Sequence, residues 1–516
     1  LKRILARILP PLPLILPSLI SGVLVTLCFP VTSLGPVSFL ALTPMFAAVL
    51  HYRPGRKDAF RAGFLMGSAC FVSMLWWIVK LVPSADVTIP WLMTPALILL
   101  VLYLSFYPAF HLLVLAALTR WRLIPFLVAA PATWALFEVA RSRGELAFPW
   151  GLLGYSLSNH AALLQTADVW GVFGLSFAIV TVNALAAGSV SARGPRAKAW
   201  CGLLAGLVAG AMWLHGDTRM RRDEGPSAPT LRVALAQPNI DLAIKWKPEF
   251  KDSSFVMIEK QAAQARDEGA DIVIFPETAA PVFIENGPIY KMRLTELARS
   301  LQIAVFVGFL DHRFDGPNRD INIYNSSGLF RPDGSLEKYD KRHLLPFGEA
   351  LPLGSRYRWI RKINFGQANF QPGPPRDPLS ENGVRFTPLI CFESVFPDLC
   401  REGVHQGSEL FVNITNDGWF GDTPGPYQHA QMAIVRAVEF RRWLVRSANS
   451  GVSMVVDPAG EVVSQIGLYK EGVLLADVKL LSGETFYARH GDRPLVLASL
   501  VLVGLAAWLA RRASMA

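Results

Sequence analysis

Before Leu214 the chain is apolar almost without a break, 217–490 reads as ordinary soluble protein, and one further apolar stretch follows near the end. A bilayer-crossing helix needs roughly 20 mainly apolar residues. About eight segments are candidates: 11–29, 36–51, 59–81, 92–118, 123–140, 165–191, 198–215 and 493–510. Pro10, Pro11, Pro13 and Pro17 make the start of the first irregular, which a span tolerates when neighbours satisfy the freed backbone. That segment also looks like a secretory signal. No small-residue cleavage site follows it, however, and a second span comes straight after, so it is expected to be retained. The chain begins at Leu1, as it would if an initiator Met had been trimmed. The segment Phe148-Pro149-Trp150-Gly151-Leu152-Leu153-Gly154-Tyr155 is too short to span. Its pattern favours an interfacial loop with Trp150 and Tyr155 at headgroup level over a re-entrant element lining a lipid-facing site.

In the polar region the period changes. Leu231–Ala236, Asp271–Phe275, Ile303–Phe309, Val384–Cys391, Leu410–Ile414 and Val452–Val456 read as strands, while 250–267, 294–301 and 427–440 read as helices. Ile321–Phe330 and Leu336–Tyr339 flank the turn Pro332-Asp333-Gly334 and predict a hairpin. This alternation predicts an α/β sandwich of layered sheets and helices. The expected layout is a membrane domain over 1–216 with seven spans, a linker over 217–229, the soluble domain over 230–485, and a last span and tail over 486–516.

A net charge of +10 would suit a nucleic-acid partner, but much of the excess sits in short loops between spans. Lys2, Arg3 and Arg7 precede the first span, and Arg53, Arg56, Lys57 and Arg61 lie between the second and third. Arg120 and Arg122, then Arg193, Arg196 and Lys198, and finally Arg511 and Arg512 fall on the same side if the spans number eight. That side is expected to be cytoplasmic. Both termini then face the cytoplasm, the soluble domain faces outward, and no nucleic-acid partner is expected. The five cysteines (Cys28, Cys70, Cys201, Cys391, Cys400) form no disulfide framework, and three lie in apolar segments as packing residues.

Three polar-domain residues carry candidate chemistry. Glu277 follows a strand through Pro276, Lys341 opens the run to Glu349, and Cys391 ends a strand. Sheets of this class place reactive groups at strand ends. A thiol with a pKa near ~8.5 needs a base or a nearby cation; a carboxylate can take its proton, and an ammonium can stabilise an oxyanion. The Phe392 backbone N–H is a second oxyanion donor. Taken singly, each has an ordinary reading: a packing thiol, a helix cap, a solvated lysine. Spacing does not separate Lys341 from Lys338. His343 and His429 suggest a metal, yet no His-Glu-x-x-His helix or Cys/His pair at zinc spacing accompanies them.

Phe275-Pro276-Glu277, the Lys341-to-Glu349 run and Cys391-Phe392-Glu393 together resemble the three signatures of the nitrilase (carbon–nitrogen hydrolase) superfamily. Asn416-Asp417-Gly418-Trp419-Phe420 with Gln428-His429 is similar to the segment that follows the cysteine there. With the flanking spans and the Lys-x-His-Leu-x-Pro-Phe-Gly-Glu form, the resemblance narrows to the apolipoprotein N-acyltransferase family and covers essentially the whole chain. It implies an α-β-β-α nitrilase-like sandwich beside the multi-span helical domain, in a bacterial inner membrane, with the sandwich on the periplasmic face. It also implies Glu277 as general base, Lys341 as oxyanion stabiliser and Cys391 as acyl-accepting nucleophile. Glu349 and Glu393 would support the site, Trp150, Trp246 and Trp419 would sit in mobile loops around the lipid path, and the two histidines would be structural.

The implied partners are a phospholipid acyl donor and a diacylated apolipoprotein acceptor, with no cofactor and no metal. Phe392 departs from the tyrosine of many members, which affects only a side-chain hydroxyl. The alternatives are a membrane-anchored amidase acting on a small amide, for which eight spans are excessive, and a transporter or receptor. The scarcity of charges inside the spans argues against an ion pathway.

Overall fold

The computed structural model describes residues 9–29, 34–81, 93–221, 228–285, 287–315, 320–354, 356–361 and 368–515. The basic cluster at Lys2, Arg3 and Arg7 and part of the 217–229 linker lie outside them. Among the described residues seven helices are long and apolar enough to cross a membrane: Gly35–Tyr52, Arg56–Lys80, Met93–Thr119, Leu123–Arg141, Ala167–Ser191, Pro195–Met220 and Arg493–Ala513. The first expected span is a shorter apolar helix, Leu12–Leu27, of 16 residues. At about 1.5 Å per residue it is about 24 Å long, less than the roughly 30 Å of a hydrocarbon layer. Its prolines explain the shortening. Pro13 fits the first turn, where no backbone donor is required, and Pro30 in the sequence disfavours helix at Phe29. The helical region therefore holds the eight expected apolar helices, one of them short.

Without a hydrophobic drive between helices in lipid, close approach decides which pairs pack. Gly63 on Arg56–Lys80 lies so near its neighbour that a Cβ there would sit 2.3 Å from the Pro108 carbonyl oxygen. This contact brings Arg56–Lys80 and Met93–Thr119 together beneath the soluble domain.

That domain is two sheets face to face with helices outside. One sheet runs β13-β1-β2-β4-β5-β6, with β3 paired to β4: β1 Thr230–Gln237, β2 Ile272–Ile274, β3 Ala280–Phe283, β4 Ala304–Asp315, β5 Asp320–Phe330, β6 Leu336–Asp340 and β13 Gly472–Lys479. The other runs β12-β11-β10-β9-β8-β7: β7 Leu379–Glu381, β8 Val384–Ile390, β9 Leu410–Thr415, β10 Trp443–Ala448, β11 Ser453–Val456 and β12 Val462–Ile466. The period of two sorts the core. Leu231, Val233, Leu235, Ile272, Ile274 and Phe306 meet Phe386, Ile390, Leu410, Val412 and Val445 between the sheets. Their strand neighbours Ala234, Val273 and Val305 turn outward to Phe255, Ile258 and Leu294 of helices Lys251–Asp267 and Pro288–Leu301. The expected hairpin is β5–β6, with Ser326 opposite Asp340 and Phe330 opposite Leu336.

Helix Gly425–Phe440 covers the second sheet and docks on the membrane helices, and its buried set runs from Gly425 to Phe440 with only Tyr427 outside it. Arg436 and Glu439, both wholly buried, pair at 3.1 Å, and Glu439 also accepts from the Val172 N–H at 2.8 Å. Just past the helix, Arg441 donates to Gln165 at 2.7 Å and to Asp168 at 2.9 Å. The Glu439 and Arg441 contacts cross between the domains, and removing one partner of a buried charged pair costs about 3–5 kcal/mol.

The 148–155 segment differs from its expectation. Trp150 and Tyr155 are buried at 4% and 0% exposure, packed inside the protein and not presented on a loop surface. Tyr155 donates to the Val395 carbonyl at 3.0 Å and Trp150 to Gln428 at 2.7 Å. Both indole and phenol are satisfied by the other domain, so the segment is a clasp between domains.

Candidate active site

Three strand ends converge at one edge of the sandwich. After β2, Phe275-Pro276 delivers Glu277, whose carboxylate accepts from Asn325 of β5 at 2.6 Å and from the Asn416 backbone N–H at 2.9 Å. Directly after β6, Lys341 is 1% exposed, 2.8 Å from Glu349 and 3.7 Å from Glu277. Burial disfavours its ammonium, but the charges of Glu349 and then Glu277 outweigh this and hold its pKa above the ordinary lysine value. Asn325 also donates to Glu349 at 3.1 Å, so a single amide spaces the two carboxylates about the lysine.

Cys391 follows β8 with φ of +52°, a left-handed conformation that a non-glycine residue holds only under constraint. Burial, and next the charge on Glu277, push its thiol up, against the pull of Lys341. A thiol so placed holds its proton more tightly than a free cysteine does.

Glu393 holds this arrangement together. One of its oxygens accepts from the Tyr339 hydroxyl at 2.9 Å and from the Arg342 and His343 N–H groups at 2.6 and 3.1 Å. The other accepts from Ile390 N–H at 2.7 Å. One carboxylate thus joins the loop of Lys341 to the strand end of Cys391. Phe392 is buried and packs on Phe396 and Phe148 at ring distances of 5.0 and 6.4 Å, facing its side chain toward the clasp.

Beneath the cysteine the Asp417 segment and Gln428-His429 meet in a network completed by Arg446, which the sequence did not announce. His429 Nε2 is 3.2 Å from the Cys391 carbonyl oxygen, and Nδ1 is 2.8 Å from Asp417, whose other oxygen meets Arg446 at 2.7 Å. Burial opposes ionisation of Asp417, yet Arg446 and His429 bring its pKa down to about 2. The His429 ring stacks on Trp150 at 5.8 Å, and Trp77 shares Gln428 with Trp150. His343 instead pairs with Asp398 at 3.0 Å and stacks on Phe396. Trp246 and Trp419 are half-buried, and Lys338 is engaged by Glu285 and Asp311, so of the two lysines it is Lys341 that meets Glu277.

A strand-end cysteine with a carboxylate and an ammonium on an α-β-β-α sandwich defines an enzyme of the carbon–nitrogen hydrolase superfamily, here carried on membrane helices. Residues 232–486 match the carbon-nitrogen hydrolase family, and residues 21–185 match the apolipoprotein N-acyltransferase N-terminal domain. An apolipoprotein N-acyltransferase of Geobacter metallireducens is 37% identical over 488 residues, 92% of this chain and 91% of that protein. Another, of Rhodopseudomonas palustris, is 31% identical over 94% of this chain and 93% of its own. Among solved structures, an amidase of the nitrilase superfamily from Nesterenkonia AN1 aligns with 52% of this chain and 97% of its own, at 22% identity and a TM-score of 0.39. The chain belongs to the apolipoprotein N-acyltransferase family, a bacterial membrane protein family.

Proposed function

We propose that this protein transfers an acyl chain from a membrane phospholipid, through a thioester on Cys391, to the N-terminal α-amine of a diacylglyceryl-cysteine apolipoprotein. The observation that carries the mechanism is the buried Lys341 ammonium, 3.7 Å from Glu277 and within electrostatic reach of Cys391. Glu277 takes the thiol proton as sulfur attacks the ester carbonyl, which suits a thiol that holds its proton tightly. The oxyanion forms beside Lys341 and the Phe392 backbone N–H. Collapse breaks the ester C–O bond, and the departing lysophospholipid oxygen takes the proton held by Glu277. In the second half the α-amine attacks the thioester, Glu277 accepts a proton from nitrogen, and sulfur leaves and is reprotonated. The sum is one ester and one amine converted to one amide and one lysophospholipid.

The membrane helices have a physical reason. Each methylene withdrawn from the bilayer costs about 0.8 kcal/mol, so both substrates remain in the membrane and the thiol must come to them. We place the sandwich on the periplasmic face of the inner membrane with both termini cytoplasmic, following the basic residues of the loops. Trp150, Trp246 and Trp419 line the lipid path in this reading, with Trp150 its fixed wall. Glu349 holds the lysine, and Glu393 holds the two loops. The test is incubation of the purified protein with phosphatidylethanolamine, followed by peptide mass spectrometry. An acyl adduct on Cys391 that forms in wild type, is lost in Glu277→Gln and passes to an amine acceptor is expected. An adduct that passes only to water would make the protein a hydrolase.

A further inference from the structure

Lys245 is among the largest wholly buried side chains of the chain, and the steps above make no use of it. It ends the short helix Leu242–Lys245, which Asp241 caps by accepting from the Ala243 N–H at 2.9 Å. Its Nζ donates to the Thr278 hydroxyl at 2.9 Å and to the Glu277 carbonyl oxygen at 3.3 Å. Among the described residues no carboxylate forms an ion pair with it. A buried ammonium in that state is expensive: burial draws its pKa down to about 7, although the charge of Glu277 opposes the fall.

The backbone that Lys245 grips is itself constrained. Thr278 has φ of +49°, a genuine outlier for a β-branched residue. The turn lies directly on β4, where a Cβ on Gly308 would stand 2.5 Å from the Thr278 nitrogen and 2.8 Å from the Glu277 Cα. On its other side the Lys245 segment leads to Trp246, whose ring lies 5.9 Å from the ammonium. Leu242 of the same helix touches the Gly418 position, one residue before Trp419.

We propose that Lys245 is a positioning residue for the general base: its ammonium clamps the left-handed Glu277–Thr278 turn, aims the Glu277 carboxylate at the thiol, and links that aim to the Trp246 segment. The proposal rests on the reading of Glu277 as base. It explains why a costly buried cation stands where a leucine would pack more cheaply. It also makes base and Trp246 segment one unit, so that a displaced segment leaves Glu277 misdirected. The charged and titratable groups around the Glu277 carboxylate are Lys341 at 3.7 Å, Glu349 behind it, Cys391, and Lys245 through the backbone.

The experiment uses the full-length protein in detergent, with Lys245→Met and Thr278→Val. Two rates are read across pH: alkylation of Cys391 by iodoacetamide, and its acylation by phosphatidylethanolamine. Misaiming a catalytic group by a fraction of an ångström lowers the rate by about 10- to 100-fold. Lys245→Met is therefore expected to lose about that factor in kcat of acylation, with KM for phospholipid within twofold. The acid limb of its alkylation profile should move to higher pH, because a cation near the base has gone. A rate and a profile equal to wild type would overturn the proposal. Should Lys245→Met fail to fold, Thr278→Val decides: a loss of about fivefold supports the clamp, and an unchanged rate overturns it. Alkylation needs no lipid, so a wild type that alkylates normally but never acylates would refute the acyltransferase reading while leaving the clamp tested.

Discussion

Replacing Glu393 with glutamine tests the claim that one carboxylate holds nucleophile and lysine in register. The native side chain accepts four hydrogen bonds, from Tyr339, Arg342 and His343 on one oxygen and Ile390 on the other, at 2.6 to 3.1 Å. The three backbone partners can only donate. Glutamine offers one carbonyl oxygen, so its better orientation keeps three bonds and points an NH2 group at the Ile390 N–H. An unsatisfied buried donor costs about 1–3 kcal/mol, and bonds to a charged acceptor are worth about 1.5–3 kcal/mol against about 1 for neutral ones. The sum is a loss of at least about 3 kcal/mol, concentrated where Cys391 leaves β8. If the two loops part by about 1 Å, the rate falls about 100-fold. The assay is single-turnover acylation of Cys391 by phosphatidylethanolamine, with the thermal unfolding midpoint measured in the same detergent. A Glu393→Gln protein that acylates within twofold of wild type, at an unchanged midpoint, would refute the clamp.

Three further outcomes follow from the same geometry. Gly308→Ala puts a methyl against the Glu277–Thr278 backbone at 2.5 to 2.8 Å, so acylation should fall by about tenfold or more while Cys391 alkylation by iodoacetamide at high pH, where no base is needed, stays near wild type. Asp417, held down to about 2 by Arg446 and His429 against burial, contributes about 2 kcal/mol of stability above pH ~4 that is lost as pH falls toward 2. The unfolding midpoint gap between wild type and Asp417→Asn should therefore narrow between pH 5 and 3, and a gap constant over that range would contradict the assignment. Glu349→Gln leaves the buried Lys341 with a weaker partner, and its loss should appear in kcat of acylation more than in KM, as a substrate titration will show.

Much of this was legible in the chain. Period-two runs located β1, β4, β5, β8 and β9, and the three motif segments located Glu277, Lys341 and Cys391. Even the choice between Lys338 and Lys341 had a signal. Along β6, Tyr339 packs between the sheets, and Lys341 continues its face while Lys338 shares the face of Asp340. What escaped was set by tertiary placement. β10 carries Arg446, which reads as a surface residue until Asp417 and Asn413 are found beside it. Asn325 lies among Asn322, Ser326, Ser327 and Gly328, weak strand formers that hide it, and only the fold brings its amide to Glu277 and Glu349. Lys245 stands in the sequence as one lysine after Leu242-Ala243-Ile244, and only the folded backbone of Thr278 shows what it holds. The chemistry of Trp150 and Tyr155 suggests a water–lipid boundary but not their partners, which come from more than 200 positions away.

The central claim is that Cys391 carries the acyl group between two membrane-bound substrates. The direct measurement is the mass of the Cys391 peptide after incubation with a phospholipid of one defined acyl chain, before and after addition of a diacylated lipopeptide with a free α-amine. The account requires a mass increase equal to that one chain, absent in Cys391→Ala, that disappears on addition of the lipopeptide and reappears as an amide on its nitrogen. Acyl transfer to the lipopeptide that persists in Cys391→Ala would contradict it.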